Sequence, residues 1–499
     1  MRGINHSKAV SKIVTNLTTF LERAAALNPD KLAIFDELQS ISFAELRSKA
    51  RSFGTYIAKH VGATRRPVAV TTHHCAGDIV AFMAVLYAGC FYVPISPQLP
   101  EPRRVSMLNT IKPDMIVSDD TINNAMDCDD ALLEAIAAQH TDTSPAYAMF
   151  TSGTTGEPKA VLVSHRSVID VVAAFKAVFP LSDDCIFANQ APFDFDVSVK
   201  DIFLTLSLGA AVHIVPKKLF SAPAQLIEYL RERKINTLIW STSALRMLAS
   251  FRALDTALPS GLSLVMFSGE VMPNKVLNYW RDRLPDAQFV NLYGPTEITC
   301  NCTYYVVNRS FDDSAPLPIG TAFPNTAILL LDENSKPVAP GERGEICVRG
   351  TCLALGYYGN ADATALSFIQ NPTETGYPER IYKTGDIGAY NERGELMFFG
   401  RNDHQIKHMG HRIELSEIEL AVNALAFIDF GCCIYDDKSE KILLFYQSNA
   451  QNDREIAIAL RQTLPDYMLP RKMLWSETLP LNKNGKIDRS ALADAYFNG

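Results

Sequence analysis

Short apolar runs alternate with amphipathic stretches along most of this chain. The apolar runs are rich in β-branched residues, and the stretches between them have helical spacing of their hydrophobic positions. Strands that alternate with helices in this way predict parallel α/β layers. The runs expected to form strands are 68–70, 115–117, 212–214, 238–239, 264–267 and 289–290.

The pattern changes after about residue 327. Apolar runs at 328–331, 344–348 and 395–399 follow one another closely, with Gly and Pro turns between them. This spacing predicts an antiparallel β subregion. A charged stretch at 401–404 then leads into a smaller α+β segment, so we expect a domain boundary near Asp403.

Length and composition narrow the class of protein. A chain of 499 residues is too long for one ordinary core, which predicts two or more domains. The net charge of −8 argues against a nucleic-acid partner. The ten cysteines lack zinc-site spacing and indicate reduced thiols in a cytoplasmic protein. The apolar run 79–95 is interrupted at Gly89, which favours a buried helix, a turn and a strand over a membrane span.

Thr151 to Lys159 is the most informative segment. It contains two glycines, four hydroxyl side chains and one lysine. Such a loop can turn several N–H groups toward a polyphosphate. It is not a Walker loop, because only two residues separate its glycines. Apolar runs on both sides predict that it joins two strands, and a polar surface turn is the alternative.

Three later motifs could complete a nucleotide site. Residues 291–297 place Tyr293, which could lie on a purine, close to Glu297, which could hold Mg²⁺. Asp386 follows a glycine and could accept the ribose hydroxyls, and Lys486 follows a glycine near the C-terminus. Taken singly, each has an ordinary explanation as a core tyrosine, a solvated acid or a surface lysine.

The ordered series of motifs resembles the adenylate-forming superfamily. Within it, the chain is similar to stand-alone amino-acid adenylation domains of nonribosomal peptide synthetases and to D-alanine–carrier protein ligases. The resemblance covers nearly the whole chain and implies an α/β fold with a large, multi-subdomain N-terminal domain, 1–402. It also implies a small, mobile α+β C-terminal domain, 403–499, that pivots at Asp403. The matching segments are 86–95, 151–159, 195–198, 291–297, 344–357, 382–386, 400–415 and 484–488.

The resemblance implies a reaction in two halves, with ATP as substrate and Mg²⁺ as cofactor. A carboxylate attacks the α-phosphate to give an acyl-AMP and pyrophosphate, and a thiol then takes the acyl group. The implied catalytic residues are Lys486, Thr296 and Glu297, of which Glu297 binds the metal. The implied ATP-binding residues are Thr151, Ser152, Gly153, Thr154, Thr155, Gly156, Lys159, Gly269, Glu270, Asn291, Tyr293, Gly294, Asp386 and Arg401.

Asp196 indicates the substrate class. In amino-acid-activating members the Asp of Phe-Asp-x-Ser pairs with the substrate ammonium, although this Asp could instead cap a helix that starts at Val197. Lys200 leaves two side-chain preferences open. It could meet an acidic substrate side chain, or it could reach solvent or a nearby acid and leave room for a small residue. The implied substrate residues are Asp196, Val197, Lys200, Ser243, Met266, Ser268, Leu292, Cys300 and Asn301.

The thiol acceptor is expected in trans, because no carrier-arm motif follows Lys486 in this sequence. A separate carrier protein with a phosphopantetheine arm is the first expectation, and coenzyme A is the second. Two other functions stay open. One is an acyl-CoA synthetase acting on a carboxylate without an amino group, and the other is a nucleotide-binding protein that has lost catalysis.

Overall fold

A computed structural model describes residues 14–118, 121, 127–153, 158–313, 315–401, 405–480 and 487–498. Its strands are β1 Leu32–Phe35, β2 Ser40–Ser42, β3 Pro67–Thr71, β4 Phe91–Ile95, β5 Met115–Val117, β6 Pro145–Thr151, β7 Lys159–Ser164, β8 Ile186–Asn189, β9 Ala211–Ile214, β10 Thr237–Ser241, β11 Leu264–Ser268, β12 Gln288–Tyr293, β13 Thr303–Val306, β14 Thr321–Ala322, β15 Thr326–Leu331, β16 Gly344–Gly350, β17 Gly356–Tyr357, β18 Phe368–Gln370, β19 Arg380–Tyr390, β20 Leu396–Arg401, β21 Gln405–His408, β22 His411–Glu414, β23 Phe430–Asp436, β24 Lys441–Gln447 and β25 Lys472–Ser476.

Helices lie between many of these strands. The α-helices span Thr18–Leu27, Phe43–Val61, Ala76–Tyr87, Glu101–Ile111, Asp130–Gln139, His165–Val178, Val197–Leu208, Pro223–Glu232, Thr242–Ser250, Asn274–Arg283, Ala361–Ser367, Leu415–Asn423, Asp453–Thr463 and Arg489–Asn498. None of the helices in the described ranges is both long and apolar enough to cross a bilayer.

Two large sheets form the body of the fold. The first has the order β14-β13-β12-β11-β10-β8-β9-β1-β2 and is parallel from β12 through β1. The second has the order β17-β7-β6-β4-β3-β5, and its central pairs are also parallel. One apolar core joins residues from both sheets and the helices between them. The predicted parallel α/β layers are therefore confirmed.

The predicted antiparallel subregion is confirmed as well. Strands β15, β16, β18, β19 and β20 form one sheet in which every pair is antiparallel. The run 79–95 forms a helix, a turn and strand β4, as predicted. Gly89 in that turn has φ of 72°, and a Cβ there would lie 2.6 Å from Ile136 Cγ2, so both conformation and space require glycine.

The segment after residue 405 has a core of its own. The hairpin β21–β22 and the sheet β23-β24-β25 surround a separate apolar cluster that includes Ile418, Tyr446 and Leu460. A separate core is what a small α+β domain needs. The proposed boundary and the pivot Asp403 fall outside the described residues, so the division into 1–402 and 403–499 stays a prediction.

Candidate active site

An open cleft lies where several strands of the two large sheets end. Strand β6 ends here at Thr151, β11 at Ser268 and β12 at Tyr293, because parallel strands place their carboxyl ends at one edge. The hairpin β21–β22 covers the cleft. Predicted site residues that line the cleft are Thr151, Ser152, Asp196, Val197, Ser268, Gly269, Gly294, Thr296, Cys300, Asp386 and Arg401.

The glycine-rich loop joins two antiparallel strands, as predicted. Thr151 at the end of β6 pairs with Lys159 at the start of β7. The Lys159 ammonium lies 5.4 Å from the centre of the Tyr357 ring. Gly153 is described, whereas Thr154, Thr155 and Gly156 fall outside the described residues. The strands thus hold both ends of the loop at the cleft.

Glu297 lies just after β12, on the 3-10 turn Thr296–Ile298. Its carboxylate is 1% exposed. It accepts hydrogen bonds from Arg412 Nη1 at 2.6 Å and from the Tyr357 hydroxyl at 2.8 Å. Burial alone would raise the pKa of Glu297, but Arg412 and Tyr357 hold this pKa below its usual value. The group is an ionised carboxylate, and carboxylate oxygens are the kind of ligand that Mg²⁺ prefers.

Asp386 is the centre of a second cluster. The Tyr293 hydroxyl donates to Asp386 Oδ2 at 2.5 Å, and Arg401 forms an ion pair with the other carboxylate oxygen. Lys407 of the hairpin lies with its ammonium 5.5 Å from the centre of the Tyr293 ring. Burial lowers the pKa of Lys407, and Asp386 opposes this effect. The cluster offers a ring, a carboxylate and two cations, which is a suitable set for a nucleoside phosphate.

Asp196 directly precedes the helix Val197–Leu208 but does not cap it. Its backbone is already helical, with φ of −63°, and its side chain accepts no capping hydrogen bond. The helix-cap alternative for this residue is therefore not supported. The side chain lines the cleft, where burial raises its pKa, while a hydrogen bond from Thr296 and the charge of Lys200 oppose the rise. A half-buried acid at this place favours a cationic partner.

Lys200 does not reach solvent, so that part of the sequence prediction is wrong. The side chain is 1% exposed, and its ammonium donates to Asn301 Oδ1 at 2.5 Å. The neighbouring Asp201 is also buried, and burial raises its pKa to about 7. Lys200 and Asn301 thus form a polar pair behind the cleft, packed near the Phe175 ring at 5.9 Å.

Several other predicted residues have structural partners. The Ser243 hydroxyl donates to Ser241 Oγ at 3.1 Å, and the Asn291 amide donates to the Pro318 carbonyl at 2.8 Å. Met266 and Leu292 are packed in the apolar core. None of these four is among the residues that line the cleft. Their roles in binding stay predictions.

Glu270, predicted to bind ATP, contacts the hairpin β21–β22. Its Oε1 accepts from the Gly410 amide at 2.7 Å, and its Oε2 lies 3.8 Å from Arg246 Nη2. Arg246 also forms an ion pair with Glu440, so this cluster joins the body of the fold to the C-terminal segment. Asp403 and Lys486 fall outside the described residues.

The structure adds residues that were not assigned a role from the sequence. Tyr357, Lys407 and Arg412 contact predicted site residues, and His411 stacks on Tyr467 with ring centres 3.5 Å apart. Arg103 in the cleft forms an ion pair with buried Glu417. Tyr357, Lys407 and Arg412 lie inside segments that carry the family resemblance, and this resemblance is the sequence signal that could have identified them. Their partners are far away in sequence, so the pairings themselves could not be read from it.

One family model and several known proteins are similar to this chain. The family model described as AMP-binding enzyme matches residues 21–358. The D-alanine–D-alanyl carrier protein ligase of Bacillus licheniformis is 32% identical over 95% of this chain and 98% of its own length. Bacitracin synthase 1 of Bacillus licheniformis is 32% identical over 96% of this chain but only 9% of its own length. The solved structure of holo-PA1221, a nonribosomal peptide synthetase protein containing adenylation and PCP domains, superposes with a TM-score of 0.81. It is 27% identical, and the match covers 96% of this chain and 84% of that one.

Proposed function

The chain belongs to the AMP-binding enzyme family and is an adenylate-forming ligase, and we propose that its substrate is an amino acid. The enzyme joins the amino-acid carboxylate to the α-phosphate of ATP and releases pyrophosphate. It then transfers the aminoacyl group to the phosphopantetheine thiol of a separate carrier protein. The similarity to a D-alanine–D-alanyl carrier protein ligase supports this acceptor, with coenzyme A as the second choice.

The observation that carries this proposal is Asp196. It is an acid that lines the cleft together with Ser268 and Cys300 and is not used as a helix cap. A fatty or aryl carboxylate has no ammonium group for Asp196 to pair with, and a half-buried charge is costly where polar partners compensate it only in part. The α-ammonium of an amino acid would add an ion pair to the hydrogen bond from Thr296 and the charge of Lys200 that already act on this carboxylate. Asp196 would thereby orient the substrate with its carboxylate toward Thr296.

The phosphate end of the site must bring two anions together. Two unit charges about 4 Å apart repel by roughly 4 kcal/mol at an effective dielectric of 20. Lys159, the amides around Gly153 and Lys486 would offset this repulsion, and Thr296 would donate to the α-phosphate. Mg²⁺, held by Glu297, would neutralise phosphate charge when bound. Asp386 would accept the ribose hydroxyls, and Tyr293 would stack on adenine.

The position of the hairpin β21–β22 supports two arrangements of the C-terminal segment, one with Lys486 in the cleft for adenylate formation and one with the hairpin in the cleft for thiol transfer. Lys407, Gly410 and Arg412 all lie in the cleft. In the proposed adenylating arrangement, the C-terminal segment turns relative to the body of the fold and brings Lys486 to the α-phosphate. A pivot at Asp403 would exchange the hairpin for Lys486, as hinge residues do when they absorb a change in φ and ψ.

We propose a small polar or acidic side chain for the substrate. The Lys200 ammonium is held by the Asn301 amide oxygen and sits behind the cleft. If this pair stays closed, it limits the pocket to a small residue. An acidic side chain would instead have to take the place of the Asn301 oxygen on Lys200, which replaces a hydrogen bond to a neutral acceptor with an ion pair.

A pyrophosphate-exchange screen tests the proposal. The enzyme is incubated with ATP, labelled pyrophosphate and each of the common amino acids in turn. Each amino acid is matched with its analogue that lacks the amino group. We expect exchange with one or a few small or acidic amino acids and little with their matched analogues. Equal exchange with the analogues, or exchange only with fatty or aryl acids, would reject an amino-acid substrate.

A further inference from the structure

Both carboxylate oxygens of Glu297 are engaged by side chains. Arg412, on strand β22, donates to Oε2 at 2.6 Å, and the Tyr357 hydroxyl donates to Oε1 at 2.8 Å. The carboxylate is 1% exposed, and the Arg412 side chain is 19% exposed. The guanidinium belongs to the C-terminal segment and the carboxylate to the body of the fold, so the ion pair connects these two parts of the chain.

The backbone of β22 holds Arg412 in this position. The Ser152 hydroxyl donates to the Arg412 carbonyl at 2.8 Å and accepts from the Glu414 amide at 3.2 Å. These two hydrogen bonds tie the strand to the first residues of the glycine-rich loop. The ion pair therefore forms only while the hairpin lies in the cleft and next to that loop.

A buried carboxylate is stable when one cation pairs with it, and a second cation nearby is repelled. Mg²⁺ binds carboxylate oxygens at about 2.0–2.1 Å, and at Glu297 it would lie beside the guanidinium of Arg412. On the premise of the proposed function, in which Glu297 holds Mg²⁺, we propose that Arg412 and Mg²⁺ occupy this carboxylate in alternation. Arg412 takes the place of the metal when the hairpin enters the cleft.

The exchange gives the two half-reactions an order. Arg412 can pair with Glu297 only after magnesium pyrophosphate has left. Once it has done so, pyrophosphate that returns finds no metal ligand at Glu297, and the reversal of adenylate formation is suppressed while the thiol reacts. Arg412 is thus a positioning residue, since it acts through Glu297 and through the metal rather than on the reacting atoms.

The test measures metal binding by electron paramagnetic resonance of free Mn²⁺, with the full chain and saturating AMP. Arg412→Gln removes the competing charge, and we expect it to bind Mn²⁺ at least about five-fold more tightly than the unaltered protein. Arg412→Lys keeps a cation and should stay within about two-fold. Adding Glu297→Gln to Arg412→Gln should abolish the gain. Unchanged or weaker Mn²⁺ binding by Arg412→Gln would overturn the proposal.

Hydrogen exchange of the unaltered protein provides a readout that does not depend on a variant. With AMP bound, Mg²⁺ together with pyrophosphate should raise amide exchange in residues 405–414, because the metal displaces the hairpin. Pyrophosphate with a chelator should leave amide exchange in these residues unchanged. Equal amide exchange under both conditions would also overturn the proposal. If Glu297→Gln leaves Mn²⁺ affinity of the ATP complex unchanged, the metal assignment of the proposed function fails, and the alternation fails with it.

Discussion

Replacing Asp196 by asparagine tests the assignment of the substrate ammonium. The change keeps the shape of the side chain and removes its charge. Removing one partner of a fully buried ion pair costs about 3–5 kcal/mol. Asp196 is only half-buried, so solvent screening reduces this to about 2–3 kcal/mol. At about 1.4 kcal/mol per factor of ten, kcat/KM for the amino acid should fall roughly 30- to 140-fold.

The assay measures pyrophosphate exchange by the unaltered enzyme and by Asp196→Asn. Each protein is given the preferred amino acid and, separately, the analogue that lacks the amino group. Asp196→Asn should lower exchange with the amino acid and leave the weak exchange with the analogue nearly unchanged. The difference isolates the contact between carboxylate and ammonium, since both substrates make the same phosphate contacts. If the variant loses activity equally with both substrates, Asp196 does not recognise the ammonium and the reasoning is refuted.

The pH dependence gives an independent check on the same residue. Burial raises the pKa of Asp196, so this acid takes up a proton at a higher pH than a free aspartate. Pairing with the ammonium requires the ionised form and is lost as pH falls through the raised pKa. We expect kcat/KM for the amino acid to decline on the acidic side, and the decline should be absent in Asp196→Asn. An identical acidic limb in both proteins would assign it to another group.

Two further predictions concern the nucleotide. Lys486→Ala should slow pyrophosphate exchange by roughly a hundred-fold or more at saturating ATP while the Kd for ATP changes much less, because the lysine charge acts mainly in the transition state. Lys483→Ala is the control. A rise in the Kd for ATP as large as the loss of rate would contradict this role. Tyr293→Phe removes the hydrogen bond to Asp386, worth about 1–2 kcal/mol, so the Kd for ATP should rise roughly 5- to 30-fold by calorimetry. Tyr305→Phe is its control, since the buried Tyr305 hydroxyl has no partner among the described residues; equal effects of the two changes would reject the contact.

Local patterns in the sequence predict much of the fold. The β-branched runs become β3, β5, β9, β10, β11 and β12, since hydrophobic spacing determines which face is buried. Gly89 marks a turn because its conformation excludes other residues. The glycine-rich loop between β6 and β7 follows from the apolar runs that flank it. In each case the signal and the structure lie within about ten residues of each other.

The site is harder to predict, because its contacts join distant positions. Tyr357 reaches Glu297 across 60 residues, and Arg412 reaches it across 115. Lys200 shows the limit most clearly. Sequence reasoning leaves an acidic substrate, a nearby acid or solvent as its partner, and the structure provides the Asn301 amide from 101 residues away. Spacing along the chain carries no information about such pairs without the topology.

A crystal structure with a non-hydrolysable ATP analogue and Mg²⁺ tests the central claim most directly. The account predicts that the phosphates lie against Ser152, Gly153 and Lys159, with the α-phosphate next to Thr296 and the ribose hydroxyls on Asp386. It also predicts that Lys486 enters the cleft while Arg412 leaves Glu297. A triphosphate bound elsewhere, with the glycine-rich loop facing bulk solvent, would contradict the account.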